Sequence, residues 1–361
     1  MSAPQAASDA PAGITASLDA LRHFCQGVLA AAGADAETAR AATRAMLHGS
    51  RLGIDSHGVR LLDHYATVLQ SGRVTPSPRM RWQNVFGAVA LLDADDGHGA
   101  LAAYRAMEQA TELAERYGIA AIGIQRSSHF GPAGAYALAA AEAGYIGLAF
   151  CNSDSFVRLH DGAARFHGTN PIACAVPVAE GQPWLLDMAT SAIPYNRVQL
   201  YKSLGRSLPE HVASDEAGED TRDPAEVQML APLGADFGFK GAGLAGLAEI
   251  FSAVLTGMKL SFEILPMGGP DLTTPRVMGA FVMALKPDAF APGDAFRDGM
   301  RRYLDALRAS PARAGGKVMA PGDREWAEAA RREAAGVPLD PATVEAFARL
   351  SERFDVRLPY D

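Results

Sequence analysis

Gly234-Ala235-Asp236-Phe237-Gly238-Phe239-Lys240-Gly241-Ala242-Gly243-Leu244-Ala245-Gly246 is the stretch on which the fold turns. Its last six residues match G-x-G-x-x-G, the glycine pattern that opens the helix of a dinucleotide-binding Rossmann domain. That fingerprint works only where an apolar strand runs straight into the glycines, because the tight strand-to-helix turn aims the helix N-terminus at a pyrophosphate. Here the preceding residues read as a loop, the motif lies late in the chain, and no strand with a ribose-binding acid follows in the expected place. The Rossmann reading is therefore set aside. A glycine-rich loop before a helix can still cradle a phosphate through its backbone amides, with Lys240 adding charge.

Upstream the pattern is mixed α/β. From Ser17, an expected N-cap, Leu18, Leu21, Phe24, Cys25, Val28 and Leu29 recur at helical spacing until Gly33. Asp35 opens a second amphipathic helix that Gly53 and Gly58 close. From about residue 88 short β-rich runs take over at 88–92, 119–124, 146–150, 172–176 and 184–188, separated by helices. Helices are expected over 100–117, from Pro132 to Ala143, over 194–204 and 241–255, with a strand over 277–285 and three amphipathic helices from Asp294 onward. The acidic, Gly- and Pro-containing stretch 209–225 reads as an exposed loop.

Composition narrows the function classes. With 361 residues, 48% hydrophobic and 20% charged, the chain has ample material for a large core. A net charge of −8 without a basic run lacks the electrostatic footprint of a nucleic-acid binder. The Ala-, Ser- and Pro-rich start reads as a tail without a targeting signal, and no apolar run is long enough to span a membrane, so a cytoplasmic location is the default. Cys25, Cys151 and Cys174 are widely spaced in apolar surroundings and read as reduced core residues.

The chemistry concentrates in two histidine motifs, Asp55-Ser56-His57-Gly58-Val59-Arg60 and Ser127-Ser128-His129-Phe130-Gly131. Imidazole exchanges a proton near neutrality, and a guanidinium fork matches a carboxylate, so the combination suits 2-hydroxy and 2-keto acids. His129 follows a strand end and precedes a helix, a rigid platform, and is the favoured general base. His57, beside Arg60, is placed to bind the carboxylate or relay the proton. Ser56 and Ser128 either orient the rings or cap their turns. Arg276 and Arg197 are usable second anchors but read first as surface charges. A Ser/His hydrolase is disfavoured because no G-x-S-x-G elbow accompanies the Ser-His dipeptides. A metal site is disfavoured because His57, His129, His160 and His167 form no i, i+4 pair.

Together with Gly168-Thr169-Asn170-Pro171, Asp187-Met188-Ala189-Thr190-Ser191, Phe239-Lys240-Gly241 and Pro321-Gly322-Asp323, these motifs resemble the second malate/L-lactate dehydrogenase family, in order from about residue 17 to 356. The resemblance implies an α/β (α+β), non-Rossmann nicotinamide-binding fold. In it a mixed, largely antiparallel sheet over 88–289 holds the cofactor, and a helical domain is built from both chain ends, 14–87 plus 290–361. It implies a homodimer that uses NAD or NADP, with NAD slightly favoured, and no metal.

The reaction implied is reversible hydride transfer on a small 2-keto or 2-hydroxy acid. Reduction of cyclic imino acids is the alternative, and a non-catalytic dinucleotide-binding protein a further one. By the same resemblance His129 and His57 are the catalytic histidines and Arg60 binds the substrate carboxylate; Ser56 and Asp187 are further catalytic candidates, Asp187 otherwise only ending its strand, and Asn170 and Thr169 are substrate-binding candidates, Asn170 otherwise satisfying loop amides. Ser153, Asp187, Met188, Ala189, Thr190, Ser191, Lys240, Gly241, Gly322 and Asp323 meet the cofactor. Relatives commonly carry the arginine four residues after the first histidine. Here it comes at three, with Leu61 in the fourth place, and because both offsets share a helical face Arg60 is the expected anchor. Residues 193–197 and Arg158, His160 and His167 also depart from the usual pattern, in the region expected to shape the substrate or ribose pocket.

Overall fold

The computed structural model describes residues 13–291 and 293–360. The N-terminal tail of residues 1–12 lies outside the described residues. The chain runs β1 (Thr15–Ala16), α1 (Leu18–Ala31), α2 (Ala36–Arg51) and α3 (Leu62–Gln70), then β2 (Arg81–Phe86), β3 (Val89–Asp93), α4 (Gly99–Tyr117), β4 (Ile119–Ser127), α5 (Gly134–Glu142) and β5 (Ile146–Cys151). It continues with β6 (Val157–Arg158), β7 (Arg165–His167), β8 (Ile172–Val176), β9 (Trp184–Met188), α6 (Tyr195–Ser203), β10 (Ala213–Ser214), β11 (Met229–Leu230) and α7 (Phe239–Glu249). Strand β12 (Met278–Leu285), α8 (Gly293–Arg308), α9 (Asp323–Ala335), β13 (Val337–Pro338) and α10 (Pro341–Phe354) complete it.

Seven strands form the main sheet in the order β2-β3-β4-β12-β5-β8-β9. Only β3 and β4 run parallel, joined by the crossover helix α4, and the other neighbours are antiparallel. The mixed, mostly antiparallel α/β architecture is thus the one expected. Alanine-rich faces of α4 and α5, including Ala103, Ala106, Ala110, Ala137 and Ala140, lie fully buried in the core that includes one face of the sheet. On the other face Phe150, Phe281 and Ala248 pack with Phe251. A second core joins the chain ends. Leu21, Phe24, Met46 and Leu62 meet Phe347 and Leu350, and β1 pairs with β13. Each such large apolar side chain contributes on the order of 2 kcal/mol by leaving water. Ser17 and Asp35 cap α1 and α2 with their side-chain oxygens as expected.

Several expectations are corrected. Strand β2 was not foreseen, because Arg81-Trp82-Gln83-Asn84 lacks apolar alternation; it forms the edge of the sheet and pairs only with β3. The stretch 209–225 is not simply an exposed loop. It contributes β10, with Ala213 and Ser214 fully buried, to a four-stranded sheet ordered β10-β11-β6-β7. The helix expected from Pro132 begins at Gly134. The glycines at 241, 243 and 246 lie in a helix, as expected, although it begins two residues before Gly241. A 3-10 turn at Ala235–Phe237 leads into α7, which starts at Phe239 and passes at its far end into a π-helical turn, Ile250–Val254. Gly241 is needed for packing, since a β-carbon there would overlap the backbone of Leu233.

The closest backbone approach occurs at Gly279 in β12, where a β-carbon would overlap the Ser252 carbonyl oxygen. Gly279→Ala should therefore destabilise the protein by about 3 kcal/mol, through overpacking against backbone that has nowhere to go. Urea unfolding measures this; a loss below about 0.5 kcal/mol would show that the sheet and the turn at 250–254 can separate freely.

Candidate active site

The register of the main sheet brings the chemistry to one end. His129 follows the C-terminal end of β4, Ser153 the end of β5 and Thr190 the end of β9, while Thr169 and Asn170 precede β8. In β4 and β12, Ser127 pairs with Met278, and Arg276, two residues before Met278, lies close enough to His129 for its charge to act on the imidazole.

His129 sits in a turn held by small groups. Ser128 Oγ accepts from the Gly99 N–H and donates to the Gly97 carbonyl, each at 3.0 Å, so it fixes the turn rather than the ring. The ring is oriented instead by Tyr65 of α3, whose hydroxyl lies 2.9 Å from His129 Nδ1. His57 arrives from the turn after α2. Its Nδ1 lies 2.9 Å from Ser56 Oγ, and its ring stacks on that of His129 with centroids 5.7 Å apart and planes 20° apart. The turn is clamped from the C-terminal segment by Arg332, which binds both oxygens of the Asp55 carboxylate and the Ser50 carbonyl. Gly49 permits the approach, because a β-carbon there would lie 2.6 Å from the His57 carbonyl oxygen.

Both Nε2 atoms are left without a hydrogen-bond partner among the described residues. Burial holds His57 down to about 4, and burial with the neighbouring His57 and Arg276 charges holds His129 well below the ordinary value. Two neutral imidazoles at neutral pH are therefore ready to accept a proton.

Arg60 is not brought to this pair. Its side chain is 49% exposed and sits 3.9 Å from the Asp340 carboxylate, and it stands in a 3-10 turn at 59–61 rather than in the helix on which the expectation of a face shared with position 61 rested. Arg276, read first as a surface charge, is instead 2% exposed. Asp187 bonds to neither histidine. It accepts from the Gly134 N–H at 2.9 Å, anchoring the start of α5, and burial pushes its carboxyl up to about 6. Asn170 is fully buried and spends its amide on the Ala245 carbonyl and Glu249, so it is a structural tie rather than an open substrate contact.

Among the residues expected at a cofactor, Ser153, Thr190, Ser191 and Gly241 form a continuous floor. The Thr169 N–H donates to Ser153 Oγ, Thr190 Oγ1 donates to the Thr169 carbonyl, and the Leu233 N–H donates to the Thr190 carbonyl. Leu233 in turn packs on Gly241. Met188 and Ala189 lead into this floor, and Lys240 stands exposed beside the Phe237 ring. Gly322 and Asp323 lie elsewhere: Gly322 packs on Leu185 and Trp326, and Asp323 pairs with Arg308 at 2.7 Å. Tyr65, Arg332 and the burial of Arg276 were missed by sequence reasoning, for each acts across more than sixty residues of sequence; the i, i+8 step from His57 to Tyr65 was the only local signal.

The mostly antiparallel sheet thus ends in two stacked, neutral imidazoles with open Nε2 atoms. The sequence profile of the malate/L-lactate dehydrogenase family matches residues 16–348. The chain is 32% identical over 347 residues to malate dehydrogenase of Pyrococcus abyssi, covering 94% of each. It is 31% identical to ureidoglycolate dehydrogenase (NAD(+)) of Escherichia coli strain K12, covering 85% of this chain and 87% of that one. It is 32% identical to Δ1-pyrroline-2-carboxylate reductase of Pseudomonas fluorescens, covering 92% and 97%. The solved malate dehydrogenase of Entamoeba histolytica superposes with a TM-score of 0.90 at 26% identity, covering 96% of this chain and 100% of that one. The chain therefore belongs to the malate/L-lactate dehydrogenase family, oxidoreductases that act on hydroxy and keto acids. Among the described residues no helix is long and apolar enough to cross a membrane.

Proposed function

We propose that the protein is a nicotinamide-dependent oxidoreductase in which His129 is the general acid–base and the substrate is a small 2-hydroxy or 2-keto acid. The observation that carries this reading is the geometry of His129: Nδ1 held by Tyr65, Nε2 open, and the ring neutral beside His57. With Nδ1–H donating to the Tyr65 oxygen, Nε2 takes the hydroxyl proton of the 2-hydroxy acid. The C2 hydrogen leaves with its electron pair as hydride, and C2–O becomes a carbonyl. The nicotinamide supplies the hydride acceptor in this direction and the donor in the other. The reductive direction returns the proton from the imidazolium. His57 relays or shares that proton, and Ser56 orients its ring.

The residues present fit a dinucleotide. The N-terminus of α7 has no side-chain cap, so its free N–H groups and the Lys240 charge suit a diphosphate, while Phe237 and Phe239 offer exposed rings nearby. The adjoining cavity of about 320 Å³ is lined by Arg158, His160, His211, Asp220 and Asp236. Its Arg158 is already paired with Asp220 at 2.6 Å, as is His211, which leaves little free cationic charge for a 2′-phosphate and favours NAD over NADP. The Pseudomonas relative favours cyclic imino acids as a second substrate class. The exposed Leu244, Leu247, Ile250, Val254 and Leu255 support a homodimer, and three free cysteines support a cytoplasmic location.

The test follows the absorbance of NADH and NADPH against a panel of 2-keto acids and cyclic imines. Turnover with at least one keto acid, faster with NADH, is the expected result. Silence across the panel although NADH binds would remove the catalytic reading.

A further inference from the structure

Between α1, α2, α4 and α5 lies a cavity of about 180 Å³, many times the roughly 10–15 Å³ that one water needs, and none of its lining residues belongs to the acid–base pair or the cofactor floor. We propose that it is a second ligand site, built for a small organic dianion of the phosphate monoester class. Three guanidinium groups, those of Arg22, Arg44 and Arg51, line it against a single carboxylate, that of Glu142. Their side chains are 49%, 57% and 31% exposed, so the cavity opens to solvent and a ligand can enter. Acidic neighbours leave these groups far from saturated. Asp19 accepts from Arg22 Nη1 at 2.6 Å and Glu333 from Arg51 Nε at 2.5 Å, and neither carboxylate is part of the cavity wall. Glu142 stands 3.8 Å from Arg44 Nη2, too far to accept a hydrogen bond. Most N–H groups of the three forks therefore have no acceptor among the described residues.

The remaining wall residues narrow the ligand. Arg44 stands over the Tyr104 ring, its Cζ 4.2 Å from the centroid, which holds the fork in place. Leu47 and Leu138 add apolar wall, so the ligand carries an apolar body beside its charge. His48 also lines the cavity, and its Nε2 is shielded from water without a partner among the described residues. Burial, with the Arg51 and Arg44 charges beside it, holds this ring down to about 3, so at neutral pH it is a polar contact and not a fourth charge. Three guanidiniums against one carboxylate leave a positive surplus that a dianion balances, and their forks match phosphate oxygens in pairs. Neither His57 nor His129 lines the cavity, so the ligand is not the reacting acid. It would nevertheless sit against the segment that carries His57. His48 and Arg51 flank Gly49, which packs on the His57 carbonyl, and Ser50, whose Oγ accepts from the Val59 N–H at 2.9 Å.

Phenyl phosphate, a monoester with a small apolar body, tests this by calorimetric titration of the full chain with NADH in excess, and phenol is the uncharged control. At about pH 7.5, above the second phosphate pKa of about 6, the probe is a dianion. Wild type should bind it with a Kd below about 1 mM and bind phenol at least about tenfold more weakly. Arg44→Gln should weaken phenyl phosphate at least about tenfold, whereas Lys240→Gln, at the start of α7, should change it less than about twofold. Arg44 is exposed, so its replacement leaves the core intact. Absence of binding up to about 10 mM, binding no tighter than that of phenol, an unchanged Kd in Arg44→Gln, or an equal loss in Lys240→Gln would overturn the assignment. The titration needs no turnover, and should NADH fail to occupy its own site the comparison of Arg44 with Lys240 still separates the two positions.

Discussion

His129→Ala is expected to lower kcat by about 10²- to 10⁴-fold while NADH affinity stays within about twofold. The residue carries the one imidazole whose Nδ1 is fixed by a phenol from a different helix, with Nε2 left for the substrate. Tyr65→Phe separates orientation from chemistry. Losing the hydroxyl frees the ring to rotate and to change tautomer, so kcat should fall by about tenfold with little change in KM, a smaller loss than removing the base itself. Stopped-flow measurement of NADH consumption and fluorescence titration of the cofactor provide both numbers. If His57→Ala costs more than His129→Ala, the two roles are exchanged; if His129→Ala retains full turnover, the acid–base group lies elsewhere.

Acidification is expected to unfold this protein well before ordinary carboxylate titration would. His48 and His98 are held near 3 and His57 and His64 near 4, in each case mainly by burial, and His129 lies well below its ordinary value. An unfolded histidine titrates at about 6.5, so between there and about 4 the unfolded chain binds protons that the folded chain refuses. The stabilisation is complete above about pH 7 and is lost as pH falls, at up to about 1.4 kcal/mol per pH unit for each imidazole still neutral in the fold. Partial exposure of some of these rings lowers that ceiling. Asp187, raised to about 6, and Asp96, also raised by burial, work the other way, since the fold keeps protons on them that the unfolded chain has lost, but they are two groups against five. Urea unfolding at pH 7.5 and pH 5 measures the difference. Equal stability at the two values would mean that these histidines are hydrated or charged in the folded protein.

Local rules made much of the architecture legible. Ser17 and Asp35 cap helices because a side-chain oxygen followed by a 3.6-residue apolar stripe is enough information, and the absence of a strand before Gly241 was enough to reject a Rossmann turn. The Ser- and Gly-flanked motifs singled out both histidines, and the structure stacks their rings. Where local reasoning failed, a tertiary contact outweighed it. Asn170, a candidate for the substrate, is spent instead on the Ala245 carbonyl and on Glu249, which α7 brings to its amide. Asp187 looks like a partner for histidine until the start of α5 presents the Gly134 N–H.

The sequence by itself determined which residue types were available for proton transfer, that the elements would be mixed α/β without a Rossmann turn at Gly241, and that no basic surface would recruit nucleic acid, because these follow from composition, periodicity and motif context; that the sheet would be mixed and largely antiparallel was implied only by the resemblance to the family. Only the tertiary structure decided which arginine faces the histidines. A side chain's direction at the end of a strand or in a 3-10 turn depends on packing with distant elements: the pairing of β12 with β4 brings Arg276 close enough to His129 for its charge to act on the imidazole, while Arg60, in the turn at 59–61, lies 3.9 Å from Asp340.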